Sequence, residues 1–243
     1  MHQFVHLNGY SLHLAATRKK EARTLGDVMG EMLRQPGYCS HLEIPRKPVH
    51  VYGHYPEQIL PWVEAQHAKQ TISGRHLRKD SWVALVGVSS WPVPAEKVRA
   101  SMEETERFKA WQQRDVAWVR KTFQGAQILS VVLHTDERYL HHHWVVVAPS
   151  LATTMDLHPG HRAKRLSKAA GRDTTTANRD YCSAMQAFQD SYHDEVAGPC
   201  GLIRISAAPR RRVSTAAHRA AVAAGDWIPG VGPVCAHIVN KPE

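Results

Sequence analysis

One stretch limits what this chain can fold into: His134-Thr-Asp136-Glu137-Arg-Tyr-Leu-His141-His142-His143, set between the apolar runs Ile128–Leu133 and Trp144–Ala148, the second closed by Pro149. Both runs are short, β-branched and uncharged, so each predicts a buried strand. The residues between them include two acids and an arginine and have the length of a hairpin loop. Side chains two apart on a strand point to one face, roughly 6.5–7 Å apart. His141 and His143 therefore share a face, His142 points the other way, and His134 ends the partner strand opposite the pair. Three imidazoles converge at one end of a hairpin, with Asp136 and Glu137 beside them. Imidazole is the commonest side-chain ligand for metals, and three leave positions open for water or substrate. A plain surface cluster of histidines is the alternative. Supply from two facing strands, with carboxylates in the turn, favours the metal site.

The rest of the chain fits a domain built around that hairpin. With 243 residues, 43% of them hydrophobic, it can form one large domain or a domain with an appendage. The formal net charge of +9 and pI of about 9.6 suit a polyanionic partner. Cys39, Cys182, Cys200 and Cys235 form no C-x-x-C pair and predict reduced thiols in a cytoplasmic protein. There is no apolar leader and no run of spanning length, so neither secretion nor membrane insertion is expected.

Taken in order, Gln3–Leu7 predicts a strand and Ser11–Arg23 a basic loop. Thr24 caps a helix whose Leu25, Val28, Met29, Met32 and Leu33 form one apolar face, stopped by Pro36-Gly37. Glu31 and Arg34 fall on its other face, as an exposed i,i+3 pair in the plain reading. Pro48–Tyr52 predicts a strand, Pro56–Lys69 a helix, Trp82–Val88 a buried strand, and Ala95–Phe123 one long helix. After the hairpin, His158-Pro-Gly160 predicts a turn leading into a basic loop over residues 161–180. Tyr181, Met185, Phe188, Tyr192 and Val196 then mark an amphipathic helix that packs on the sheet. Arg210, Arg211 and Arg212 precede a short helix capped by Ser214 and a Pro- and Gly-rich tail. The expected class is α+β, an antiparallel sheet flanked by helices over residues 1–206, with residues 207–243 as a basic C-terminal helix and tail.

The pattern H-x-D-E-x-x-x-H-x-H resembles the metal motif of the Mob/Pre (MobV) relaxases, HUH-type proteins of plasmid mobilisation and recombination. Leu140 and His142 stand where that family has proline and an apolar residue. Gly26-Asp-Val-Met-Gly-Glu31-Met-Leu-Arg34 resembles the family's G-x-x-x-x-H-x-x-R run, whose histidine is the nucleophile, but with Glu31 at that place. Ser40-His41-Leu-Glu43 resembles its S/T-H-L-N segment, and Arg78-Lys79-Asp80, Gln189-Asp190-Ser-Tyr192 and Gly201-Leu-Ile-Arg204 resemble later motifs.

The resemblance implies the HUH relaxase fold. It also implies metal-dependent, site-specific nicking of single-stranded DNA by transesterification, at a plasmid origin of transfer or recombination site. His134, His141 and His143 would hold manganese or magnesium, and three histidines would also suit zinc. Glu137 would orient a ligand or accept a proton, and Asp136 would fix the turn. Arg34, Arg78, Lys79, Arg162, Lys164, Arg165, Arg210, Arg211 and Arg212 are the expected DNA contacts. The implied partners are single-stranded DNA or a supercoiled plasmid origin region, together with accessory mobilisation proteins. The attacking group stays open. Glu31 could attack or activate water, or Tyr10, Tyr38 or His41 could attack. Alternatively, the protein binds DNA as an accessory without nicking. A three-histidine hydrolase acting on another substrate is a further class, disfavoured by the basic flanks.

Overall fold

In the computed structural model, residues 1–15, 22–72 and 74–204 are described and, beyond these, residues 220, 223–224, 227–228 and 232–233. The chain runs β1 (Phe4–Ser11), α1 (Leu25–Met32), β2 (Val49–Gly53), α2 (Ile59–Lys69), a short pair β3 (Thr71–Ile72) and β4 (Arg75–His76), then β5 (Trp82–Pro94). It continues α3 (Ala95–Ala100), α4 (Met102–Thr122), β6 (Gln127–His134), β7 (Tyr139–Val147), α5 (Pro159–Ala169) and α6 (Thr174–Tyr192). Five strands form one sheet in the order β1-β5-β7-β6-β2, every neighbouring pair antiparallel. This is the expected α+β class.

The sheet is covered on both faces, which is why its central strands read as near-continuous apolar runs. One face packs Val83, Val86, Val132, Val145 and Val147 against Leu25, Val28, Met29 and Met32 of α1 and Ile59 and Val63 of α2. The other packs Leu85, Val131, Trp144 and Val146 against Phe108, Trp111 and Trp118 of α4 and Phe188 and Tyr192 of α6. Gly87 lies where a Cβ would stand 2.0 Å from the ring of Trp144, so the buried indole occupies the space of the missing side chain.

Local chemistry sets the element ends. Thr24 and Asp27 form a reciprocal capping box on α1: Thr24 Oγ1 accepts from Asp27 N at 3.1 Å, and Asp27 Oδ2 accepts from Thr24 N at 2.7 Å. The helix stops short of Pro36-Gly37, because Arg34 turns left-handed (φ 57°). The expected long helix is two, since Ser101 is extended and caps the second, its side chain accepting from Glu104 N. β5 continues past Val88 to Pro94, and its pairing with β7 shifts register between Ser90 and Pro94, where Pro92 and Pro94 offer no N–H.

The turn at His158-Pro-Gly160 and the basic loop after it are corrected. His158 is the N-cap of α5, its Nδ1 accepting from His161 N at 3.3 Å, and Pro159 occupies the first turn, where no N–H is needed. Asp173 caps α6, accepting from Thr176 N at 2.8 Å, so that helix begins well before Tyr181.

The chain divides into two units, Met1–Arg204 and Ile205–Glu243. In the second, Trp227–Ile228 pairs antiparallel with Gly232–Pro233. Arg210, Arg211, Arg212, Cys235 and the helix expected after Ser214 lie outside the described residues. Cys39, Cys182 and Cys200 are free thiols. Among the described residues no helix is long and apolar enough to cross a membrane.

Candidate metal centre

The β6–β7 register places His134 directly opposite His141, with His143 two residues further along the same face. Ring centroids of the three are 5.0, 4.6 and 5.1 Å apart, and one ligand atom from each lies within 4.8 Å of the others. All three are buried.

Hydrogen bonds fix which nitrogens face inward. His134 Nε2 lies 2.8 Å from the Met32 carbonyl at the end of α1, and His141 Nδ1 lies 2.9 Å from the Tyr139 carbonyl. A carbonyl only accepts, so both outer nitrogens carry hydrogen and donate. That leaves His134 Nδ1 and His141 Nε2 as lone pairs when the rings are neutral, facing each other at 3.1 Å. Burial, then the charges of Arg34 and His141, push His134 down to about 4. Burial and the other two histidines hold His143 well below its ordinary value. His143 Nδ1 is also buried without a hydrogen-bond partner. Two lone pairs at this separation repel, and a cation between them turns the repulsion into ligation. The donor set therefore fits a divalent metal.

Arg34 is a correction. It was expected on a solvent face as a DNA contact, but its side chain is 2% exposed, against 1% for Asp136. Its left-handed backbone turns the guanidinium into the site, where Nε and Nη2 donate to the two Asp136 oxygens at 3.0 and 2.8 Å. Nη2 also donates to Glu137 Oε1 at 2.8 Å. Asp136 accepts a further bond from Arg46 N at 2.9 Å, so it pins the turn as expected. Burial raises both carboxyls, but Arg34 outweighs it at Asp136, and His141 and Arg34 outweigh it at Glu137, leaving both below the ordinary carboxylate value. Two carboxylates against one guanidinium leave a net negative charge beside the three imidazoles, which favours a dication.

Glu137 is the hub. Besides Arg34, its Oε1 lies 3.6 Å from His141 Nε2 and 3.7 Å from His41 Nε2. Glu31 is half-buried and paired with Arg23 at 2.5 Å. Tyr38 is 42% exposed, its ring lying over Gly30 of α1. Tyr10 sits opposite Ala84 on β1, whereas the histidine pair lies opposite Val88 and Ser90. That offset is roughly 13 Å or more along the strand.

The basic residues fall elsewhere. Arg78 and Arg165 come together with Trp82 around one shallow pocket of about 400 Å³ at the start of β5. Arg78 pairs with Asp80 at 2.7 Å and Arg165 with Asp156 at 2.6 Å. Arg162 and Lys79 are exposed, and Lys164 is partly so.

Sequence reasoning missed the partner of His142. On the opposite face, its Nδ1 meets Asp115 Oδ2 at 2.6 Å with both side chains fully buried, and its ring stacks on Trp111 at 5.0 Å. The signal was present: Asp115 lies in the apolar stripe Trp111–Trp118–Val119 of α4.

No protein-family model matches the chain. No curated protein matches it either. Among solved structures it is similar to the MobM relaxase domain (MOBV; Mob_Pre), in a manganese-bound crystal structure with plasmid pMV158 oriT DNA. The two superpose with a TM-score of 0.52 over 92% of this chain and 99% of that one, at 13% sequence identity. At that identity the likeness speaks for architecture, and the chain has the fold of a MobV relaxase domain, with its buried histidine triad at one end of the central hairpin.

Proposed function

We propose that this protein is a metal-dependent relaxase that nicks single-stranded DNA site-specifically at a plasmid origin of transfer or recombination site. The observation that carries the reading is the pair of inward nitrogens, His134 Nδ1 and His141 Nε2, held 3.1 Å apart by carbonyls behind them on a relaxase fold. The similar MobM domain is bound to manganese and to oriT DNA, which supports the same ligand classes here.

His134, His141 and His143 would hold the ion, with manganese or magnesium preferred and zinc compatible with the ligands. When bound, it supplies positive charge that polarises a phosphoryl oxygen. The chain's own groups do the rest. Arg34 donates to Glu137 and holds it aimed at the site, where its carboxylate can accept a proton from an attacking group. Asp136 holds Arg34, so the loop geometry is set before DNA arrives. Arg78, Lys79, Arg162, Lys164 and Arg165, with Arg210, Arg211 and Arg212, would track the phosphate backbone. Their effect should appear as an affinity that falls steeply with salt.

A supercoiled plasmid carrying the DNA that flanks the gene tests the reading. With manganese, wild type should give one nick at a fixed position, and His141→Ala should give none. Tight, salt-sensitive DNA binding without any nick would favour a nicking-deficient accessory protein. The Arg23–Glu31 pair, at the family's nucleophile position, is the observation on that side.

A further inference from the structure

Resting on that function, we infer that His41 is the group that attacks the scissile phosphate. Four side chains were open candidates, and the geometry separates them. Glu31 is engaged by Arg23 at 2.5 Å. Tyr10 lies further along β1 and beyond β5 from the histidine pair. The Tyr38 ring lies over Gly30, where a Cβ would come within 2.7 Å of it. His41 alone of the four has a contact to the hub of the site: its Nε2 is 3.7 Å from Glu137 Oε1, which is itself 3.6 Å from His141 Nε2.

That placement suits a nucleophile. A base must reach the proton it removes, and such contacts are often loose before substrate arrives. Glu137 can swing little, since Arg34 Nη2 donates to the same oxygen at 2.8 Å. His41 sits in the turn after α1 with its side chain 31% exposed, open to a strand arriving from solvent. A partly exposed imidazole beside a carboxylate has both access to a strand lying over the triad and a proton acceptor.

The step balances without a further reactant. Glu137 takes the Nε2 proton of the His41 imidazolium, and the freed lone pair forms a bond to phosphorus. The P–O bond to the leaving strand breaks, and Glu137 returns the proton to that oxygen, which ends as a hydroxyl. The product is a phosphoramidate between His41 and the retained strand, with a free hydroxyl on the other. Reversal with a new hydroxyl rejoins DNA.

The linkage chemistry provides the test. A phosphoramidate on imidazole breaks in acid and survives mild alkali. An acyl phosphate on Glu31 would break in mild alkali as well as in acid, and an aryl phosphate on tyrosine would survive mild acid. The full chain is mixed with uniformly labelled supercoiled plasmid carrying its flanking DNA and manganese, and the covalent band is read on a denaturing gel. The variants are His41→Gln, Glu31→Gln and Tyr38→Phe, with manganese titration on each to show an intact site. The inference expects an acid-labile, alkali-stable band in wild type, Glu31→Gln and Tyr38→Phe. It expects at least a hundredfold less in His41→Gln, at unchanged manganese affinity. A band that persists in His41→Gln, one that mild alkali removes or mild acid spares, or nicking with no covalent band overturns the assignment alone. No nicking and no band from wild type overturns the relaxase reading, and this inference with it.

Discussion

Replacing Arg34 distinguishes a buried structural cation from a DNA contact. Its guanidinium is 2% exposed and donates two bonds to Asp136, which is 1% exposed, so Arg34→Ala leaves a buried carboxylate without the cation that balances it. Breaking a buried pair by removing one partner costs about 3–5 kcal/mol. In a chain of this size each kcal/mol moves Tm by about 2–4 °C, so the expected fall is on the order of 10 °C. Arg34→Gly separates strain from pairing. The residue is left-handed at φ 57°, a conformation that costs a side-chain-bearing residue roughly 1 kcal/mol and glycine almost nothing. Arg34→Gly should therefore be about 1 kcal/mol more stable than Arg34→Ala while losing the same pair. Adding Asp136→Asn to Arg34→Ala removes the uncompensated charge, and the double variant should lose less than the two singles summed. Urea and thermal unfolding measure all four. A loss under about 1 kcal/mol for Arg34→Ala, with single-stranded DNA affinity falling instead, would refute the reasoning, because it is what an exposed phosphate contact would do.

Other outcomes follow from the same structure. His158 is buried and held down at about 4, by burial first and then by His161, against an ordinary 6.5. Between those values the unfolded chain takes up a proton that the folded chain refuses, so this contribution is present above pH 6.5 and lost as pH falls toward 4. The full window is worth about 3 kcal/mol, and His158→Asn, which keeps a capping acceptor, should flatten the fall in stability over it. Gly87→Ala drives a methyl group into the buried Trp144 ring and should cost about 1–3 kcal/mol by chemical denaturation, with no gain in metal or DNA binding. Manganese at a hundredfold over its Kd should stabilise wild type by about 2.7 kcal/mol in thermal scans, and His143→Ala should lose that shift.

Much of the site was legible because strand geometry is strict. A period of two placed His141 and His143 together and His142 behind them, and hairpin pairing brought in His134. Arg34 was misread because helical periodicity was carried past the point where the helix ends. A left-handed arginine held by a loop 102 residues later is a tertiary outcome that local pattern cannot show. The basic segment 161–180 was misread for the opposite reason. Its caps, His158 with Pro159 and Asp173, were present, but a mostly polar surface gives little apolar periodicity. Asp115 was readable only as a pair with His142, an acid in an apolar stripe facing an inward histidine.

The central claim is that the triad is a metal site of defined ligand atoms. Crystals grown with manganese, measured for its anomalous scattering, test it most directly. The account predicts one strong peak bonded to Nδ1 of His134, Nε2 of His141 and a ring nitrogen of His143, with the outer nitrogens of the first two still donating to Met32 and Tyr139. A peak elsewhere, or none at the triad while manganese binds in solution, would contradict it.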